Sequence, residues 1–335
     1  MLPSAHCPAS GRASLLLRIL ATALICAMTV LVWSQLRPAA ASGSAAAVPA
    51  GASQTAVNEL SWADGLALGV VEGITEYLPV SSTGHLIVTE RFLDLDPPDG
   101  EGKDALDSYT VVIQVGAILA VLLLYRRRVR QIISGVAGHN QTGRRLLLGI
   151  IIAFVPAGIL AKALEGPISD HLLSPGPVAM AWLVGGILLL VGSGWLRRTG
   201  RRGVALEELT MRHACIIGAA QAFSLWPGVS RSLVTIVGGV AAGLTMAAAV
   251  EFSFLLGLAT LSAATLYEIV TNGSDIIDRY GVTAPLIGII AAFVAAAAAV
   301  NLFVEYLNRR DLRIFGAYRV VAAVVVFTML GANVI

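Results

Sequence analysis

Between Gly69 and His85 the chain reads GVVEGITEYLPVSSTGH, which gathers Glu72, Glu76, Ser81, Ser82, Thr83 and His85 in otherwise apolar surroundings. Glu72 and Glu76 are four residues apart, a spacing that puts both carboxylates on one face of a helix. Pro79 ends that helix, and Ser81 and Ser82 are suited to cap the N-terminus of the next. The amides of Ser82, Thr83 and Gly84 would then face the break and form an anion site. His85 follows Ser81 by four residues and Ser82 by three, so its imidazole can return to the same pocket, where carboxylate neighbours suit it to acid–base work. Two carboxylates alone would repel an anion. A divalent cation held by Glu72 and Glu76 removes the conflict, and hard oxygen ligands favour Mg2+ or Ca2+.

A second polar stretch, WPGVSRS, carries Arg231 between Ser230 and Ser232 in another apolar run. A planar guanidinium is suited to bidentate phosphate binding, and the rival role is that of structural partner to a buried carboxylate. Carboxylates for a metal, a cation, hydroxyls, a histidine and helix N-termini together point to phosphoryl transfer, where positioning and charge neutralisation do most of the catalysis. A phosphate substrate for a site within a membrane is expected to be attached to a lipid. Gln114, Gln221 and Thr235 are assigned interhelical hydrogen bonds. Glu251 and Glu268 fall near span ends, and His139, His171 and His213 in loops or at span edges.

The elements that must position these groups are membrane helices. Of 335 residues 56% are hydrophobic and only 13% charged, with a mean hydropathy of +0.79, against about 25% charged in soluble domains. Leu146–Leu164, Val178–Leu196 and Pro285–Val304 are each close to the ~20 residues that cross a bilayer. The net charge of +2 decides little, because the charges are segregated along the chain. Cys7, Cys26 and Cys215 lack metal-ligand spacing and suggest no disulfide framework. Residues 1–60 read as a signal-peptide-like or anchor segment followed by a flexible Ala/Gly/Ser linker.

Three arginine-rich loops assign sidedness: Arg126 to Arg145, Arg197 to Arg202, and Arg309, Arg310, Arg313 and Arg319, all cytoplasmic by the positive-inside rule. The loop Asp94–Asp107 is acidic and is expected outside. The segment 61–93 must then return to the side it entered from, yet its roughly 33 residues are too few for two spans of ~20 and a turn. It reads as a re-entrant hairpin of two half-helices broken at Pro79, dipping in from outside. Three spans follow, Ser108–Tyr125, Leu146–Leu164 and Val178–Leu196. A second hairpin, 212–244, is broken at Pro227-Gly228 and enters from inside. The last spans are Glu251–Val270, Ala284–Val304 and Val320–Ile335. The expected fold is therefore an all-α polytopic membrane protein with an inverted-topology repeat, 61–196 and 197–335, each half a re-entrant helical hairpin plus three transmembrane helices. A shift of 149 residues supports it, laying Gly69 on Gly218, Glu72 on Gln221, Thr75 on Ser224, Ser81 on Ser230 and Thr83 on Ser232. Such repeats place their sites at the repeat interface, where broken helices meet.

At these residues the chain resembles the undecaprenyl-diphosphatase family, also called the bacitracin-resistance protein family. The matching text is EGITEYLPVSSTGH (Glu72–His85), VVIQVGAILAVLLLYRR (Val111–Arg127), WPGVSRS (Trp226–Ser232) and EFSFLL (Glu251–Leu256), and the resemblance covers about residues 62–335. It implies an integral plasma-membrane phosphatase with an outward-facing site. Such an enzyme would convert undecaprenyl diphosphate to the monophosphate carrier used for peptidoglycan, and would confer bacitracin resistance. Family functional positions fall on Glu72, Glu76, Ser81, Ser82, His85 and Arg231. This chain departs from the family in having Leu233 where glycine is usual, and GLAT after EFSFLL where a proline is usual.

The expected mechanism has Glu72 and Glu76 holding the cation and Arg231 clamping a phosphate, with Ser81, Thr83, Gly84, Ser230 and Ser232 lining the substrate site. Ser82 or a water attacks phosphorus, with His85 as base or acid. The partners are a polyprenyl diphosphate lipid and the membrane; no nucleic acid is expected, and a homodimer is an allowed assembly. The alternative from another class is a transporter or flippase of a polyprenyl phosphate lipid.

Overall fold

A computed structural model describes residues 60–95 and 100–335. The signal-peptide-like or anchor segment expected before residue 60 lies outside the described residues. Every regular element among the described residues is helical, and six helices are long and apolar enough to cross a membrane.

Two short helices open the chain, α1 (Trp62–Thr75) and α2 (Ser82–Phe92), with Glu76 to Ser81 as the break between them. α1 starts with a capping box: the Ser61 hydroxyl accepts from the Asp64 amide at 3.1 Å, and the Asp64 carboxylate accepts from the Ser61 amide at 3.1 Å. Then come α3 (Gly100–Leu124), α4 (Arg126–Val136), α5 (Gln141–Leu172) and α6 (Pro175–Gly200). A second pair of short helices follows, α7 (Met211–Ala222) and α8 (Arg231–Ala242), broken across Phe223 to Ser230. The last three are α9 (Met246–Tyr280), α10 (Thr283–Leu307) and α11 (Arg313–Gly331).

Hydropathy places the apolar centres of these helices well and their ends less well. α9 continues to Tyr280, ten residues past the expected end of its span. Where the extension begins the helix is fastened to α3: Glu268 accepts from Ser108 Oγ of α3 and from Asn272 Nδ2 of the extension, each at 2.5 Å. The stretch that read as one basic loop between α3 and α5 contains the helix α4, and Arg128 ties it down. Its guanidinium donates to Glu251 on α9 at 2.8 Å and to Glu207 at 2.6 Å. Glu251, near its span end, thus has a definite partner.

The helix pairings are reciprocal. α1 packs chiefly on α10 and α7 on α5, while α3 meets α9 and α6 meets α11. The α1–α10 contact explains how Glu72 and Glu76 are fixed. Gly65, Gly69 and Gly73 recur every four residues on one face of α1, opposite Ala284, Gly288 and Ala292 of α10. A Cβ at these glycines would lie only 2.6, 2.2 and 2.3 Å from the facing backbone oxygens. Small residues at this spacing let two helix backbones touch, which is the main source of helix association where lipid removes the hydrophobic drive. Gly69→Val should therefore force the pair apart. The expected cost is about 3 kcal/mol, the upper range for overpacking, read as a lowered unfolding midpoint of the detergent-solubilised protein.

Candidate active site

The two breaks meet. Ser232 Oγ on α8 donates to the carbonyl of Leu78 in the first break at 2.8 Å. Arg231 Nη2 donates to Glu76 Oε1 at 2.9 Å, and this ion pair is almost wholly buried. Each break turns at a serine with left-handed backbone: Ser81 has φ 75° and ψ 105°, and Ser230 has φ 77° and ψ 111°. Side chains are rarely held there, at a cost of about 1–3 kcal/mol, and such residues gather at functional sites. The two serines are the positions that a 149-residue shift superimposes.

Glu76 is the hub. It is the C-cap of α1, and its second carboxylate oxygen, Oε2, accepts a hydrogen bond from Ser82 Oγ. Arg231, the first residue of α8, also donates from Nη1 to the Ser253 carbonyl at 3.2 Å, and its guanidinium carbon lies 5.5 Å from the centre of the Tyr77 ring. Space for it comes from Gly257 on α9, where a Cβ would lie 2.0 Å from Nη1. Gly257 belongs to the GLAT sequence that departs from the family pattern. Thr235 and Ser253 close the back of this cluster through a 2.6 Å bond between their hydroxyls, the interhelical role expected of Thr235.

Other expected residues take different partners from those read in the sequence. Ser81 occupies the N-cap of α2, but its side chain makes no capping bond, and Ser82 spends its hydroxyl on Glu76 instead. Capping by serine occurs at the second break, where Ser230 Oγ accepts from the Leu233 amide at 3.3 Å and lies 3.0 Å from Ser232 Oγ. Leu233 itself is not among the residues with positive φ, so α8 does not need glycine there. His85 was expected among carboxylates. Its Nδ1 is instead 2.6 Å from the Ser81 carbonyl and its Nε2 is 2.6 Å from the Tyr318 hydroxyl, while its ring lies beside Trp182 and stacks on Tyr318. Thr83 is exposed at the start of α2, and Gly84 is buried where a Cβ would meet Trp182 and Val178 at 2.7 Å. Gln114 and Gln221 each keep a buried side-chain oxygen with no donor, so their interhelical role is incomplete.

A cation at Glu72 and Glu76 can be tested against the donors. Glu72 is fully buried, and neither of its oxygens receives a hydrogen bond. Carboxylate oxygens without a donor at such depth are costly, so a positive partner would stabilise Glu72 there. The described residues hold no cluster of three or more acidic, histidine or cysteine side chains. That donor set suits Mg2+, which is often held by one or two carboxylates and completed by phosphate and water oxygens, better than an all-protein Ca2+ cage.

Sequence reasoning missed four contributors: Trp182, Ser253, Tyr318 and Arg319. Arg319 is the plainest correction. It read as part of the third arginine-rich loop, but it lies in α11, fully buried.

The family model described as bacitracin resistance protein BacA matches residues 65–325. An undecaprenyl-diphosphatase from Sorangium cellulosum is 42% identical over 261 residues, covering 77% of this chain and 83% of the relative. Undecaprenyl-diphosphatase 2 from Rhodospirillum rubrum is 42% identical over 261 residues, covering 77% and 91%. Undecaprenyl-diphosphatase 1 from Burkholderia thailandensis is 43% identical over 259 residues, covering 76% and 91%. The match over residues 65–325 shows that this chain belongs to the bacitracin resistance protein BacA family.

Proposed function

We propose that this multi-pass membrane protein hydrolyses undecaprenyl diphosphate to undecaprenyl phosphate and inorganic phosphate. It thereby recycles the lipid carrier for cell-wall synthesis and gives resistance to bacitracin. The observation that carries the reading is the chain Ser82–Glu76–Arg231, which joins a hydroxyl, a base and a phosphate-binding cation from two hairpins.

Glu76 is hydrogen-bonded to the serine hydroxyl, so it is the group placed to take the proton of Ser82, or of a water in its place. His85 is less directly disposed for that role, because its ring nitrogens face the Ser81 carbonyl and the Tyr318 hydroxyl. On the serine route, Ser82 Oγ forms a bond to the terminal phosphorus as the bridging P–O bond breaks. Undecaprenyl phosphate leaves, and water then cleaves the phosphoserine. Arg231 and the first-turn amides of α2 orient the phosphate oxygens and stabilise their charge. His85 acts as acid toward a phosphate oxygen only by exchanging the Tyr318 hydroxyl for it. Glu72 and Glu76 would hold the divalent cation, which neutralises phosphate charge when bound.

The inverted repeat belongs to the same proposal. Matched backbone angles at Ser81 and Ser230, and the reciprocal pairing of α1 with α10 and α7 with α5, support it. The remaining arginine-rich ends support a site that faces the outside of the plasma membrane. The same symmetry favours a second reading, a flippase of a polyprenyl phosphate lipid.

One assay separates them. Purified protein should release phosphate from a polyprenyl diphosphate and lose that activity with EDTA. Lipid movement in vesicles without phosphate release would favour the flippase, and release that survives EDTA would remove the cation. Ser82→Ala should abolish release on the serine route; retained release assigns the attack to water.

A further inference from the structure

Arg319 is a charged side chain with no exposed surface, in a helix expected to cross the membrane. It does not answer a carboxylate. Nη1 points to the carbonyls of Pro79 at 3.4 Å and Val229 at 3.2 Å, and Nη2 donates to those of Ala181 at 3.0 Å and Gly228 at 2.8 Å. Pro79 lies in the first hairpin break, Gly228 and Val229 in the second, and Ala181 on α6. Broken helices leave carbonyls without intrahelical donors, and a rigid five-donor fork is the side chain that can serve several at once. Room for the fork is provided by Gly185 of α6, where a Cβ would lie 2.6 Å from Nη2. The preceding residue on α11, Tyr318, holds His85.

We infer that Arg319 is a positioning residue, a clamp that locks the two hairpin breaks to each other and to α6 so that Glu76, Ser82 and Arg231 converge. Its effect on rate rests on the phosphatase reading above, while the clamp itself is readable without turnover. Lysine keeps the charge but has one nitrogen and reaches fewer of the four carbonyls. Gly185→Ala leaves Arg319 in place, is benign for an α-helix, and displaces the fork.

The experiment combines hydrogen exchange with steady-state kinetics on detergent-solubilised wild type, Arg319→Lys and Gly185→Ala. Amide exchange should rise about fivefold or more in both breaks together, residues 76–81 and 223–230, with the long helices unchanged. kcat for phosphate release should fall about tenfold or more, with KM within about threefold of wild type. Exchange that is unchanged, raised at one break only, or raised throughout the helices in the folded variants would overturn the clamp. Looser breaks with wild-type kcat would overturn its role in the reaction. A wild-type protein that releases no phosphate would remove the phosphatase reading and leave the exchange result to decide the clamp.

Discussion

Glu76→Gln should lower phosphate release by about 10³-fold, within the usual 10²–10⁴ attributed to a general base. Glutamine is nearly isosteric, so α1 keeps its C-cap backbone and its packing on α10. What changes is one carboxylate oxygen that accepts from Ser82 and another that pairs with Arg231. The amide can accept from only one of them, and its NH2 group would face the other donor. Arg231 then loses its buried counter-charge, which in general costs 3–5 kcal/mol when one partner of a buried pair is removed. Release kinetics and an unfolding midpoint should be measured together. A variant that is destabilised yet keeps wild-type kcat would show that Glu76 is only a structural counter-ion.

Arg231→Lys should lose about 10²-fold in kcat/KM, comparable to the loss of one preorganised donor at a site of developing charge. The guanidinium spans Glu76, the Ser253 carbonyl and the face of Tyr77 at once. A lysine ammonium can pair with Glu76 but cannot present a planar fork to phosphate at the same time. Gly257→Ala offers the complementary test, because its methyl group would collide with Nη1 at 2.0 Å while every polar group remains. Both variants should raise KM for the diphosphate and weaken inhibition by inorganic phosphate. If Gly257→Ala behaves as wild type, Arg231 is mobile enough that its observed position does not set the activity.

Much of this site was legible from local pattern. A carboxylate pair at helical spacing, a proline, a run of serines and a lone arginine within apolar text are features that lipid makes expensive, so each marked its own importance. The loop-charge count turned 61–93 into a returning hairpin, and the described chain has two short helices and a break there. The tight face of α1 was also written in the text as Gly65, Gly69 and Gly73, though nothing in that spacing names α10 as its partner.

Arg319 shows where such reading stops. Its neighbours Arg309, Arg310 and Arg313 border a span, and a hydropathy window cannot distinguish a loop arginine from one turned inward a few residues later. The four carbonyls that justify its burial come from residues between 90 and 240 positions away along the chain. His85 is similar: its type pointed to acid–base work among carboxylates, while the fold gave it a carbonyl and a tyrosine.

By itself the sequence determined the six membrane-crossing helices, the two breaks and the kinds of groups at each tip, because apolar length, proline and the cost of charge in lipid act along the chain itself. Only the tertiary structure decided which group answers which. Hydrogen-bond partnership depends on separations of about 3 Å between atoms whose places in the chain are unrelated. Glu76 became the acceptor for Ser82 and Arg231, and Arg319 became the tie between the breaks, because packing of α1 on α10, of α8 on α9 and of α6 on α11 brought them within that distance.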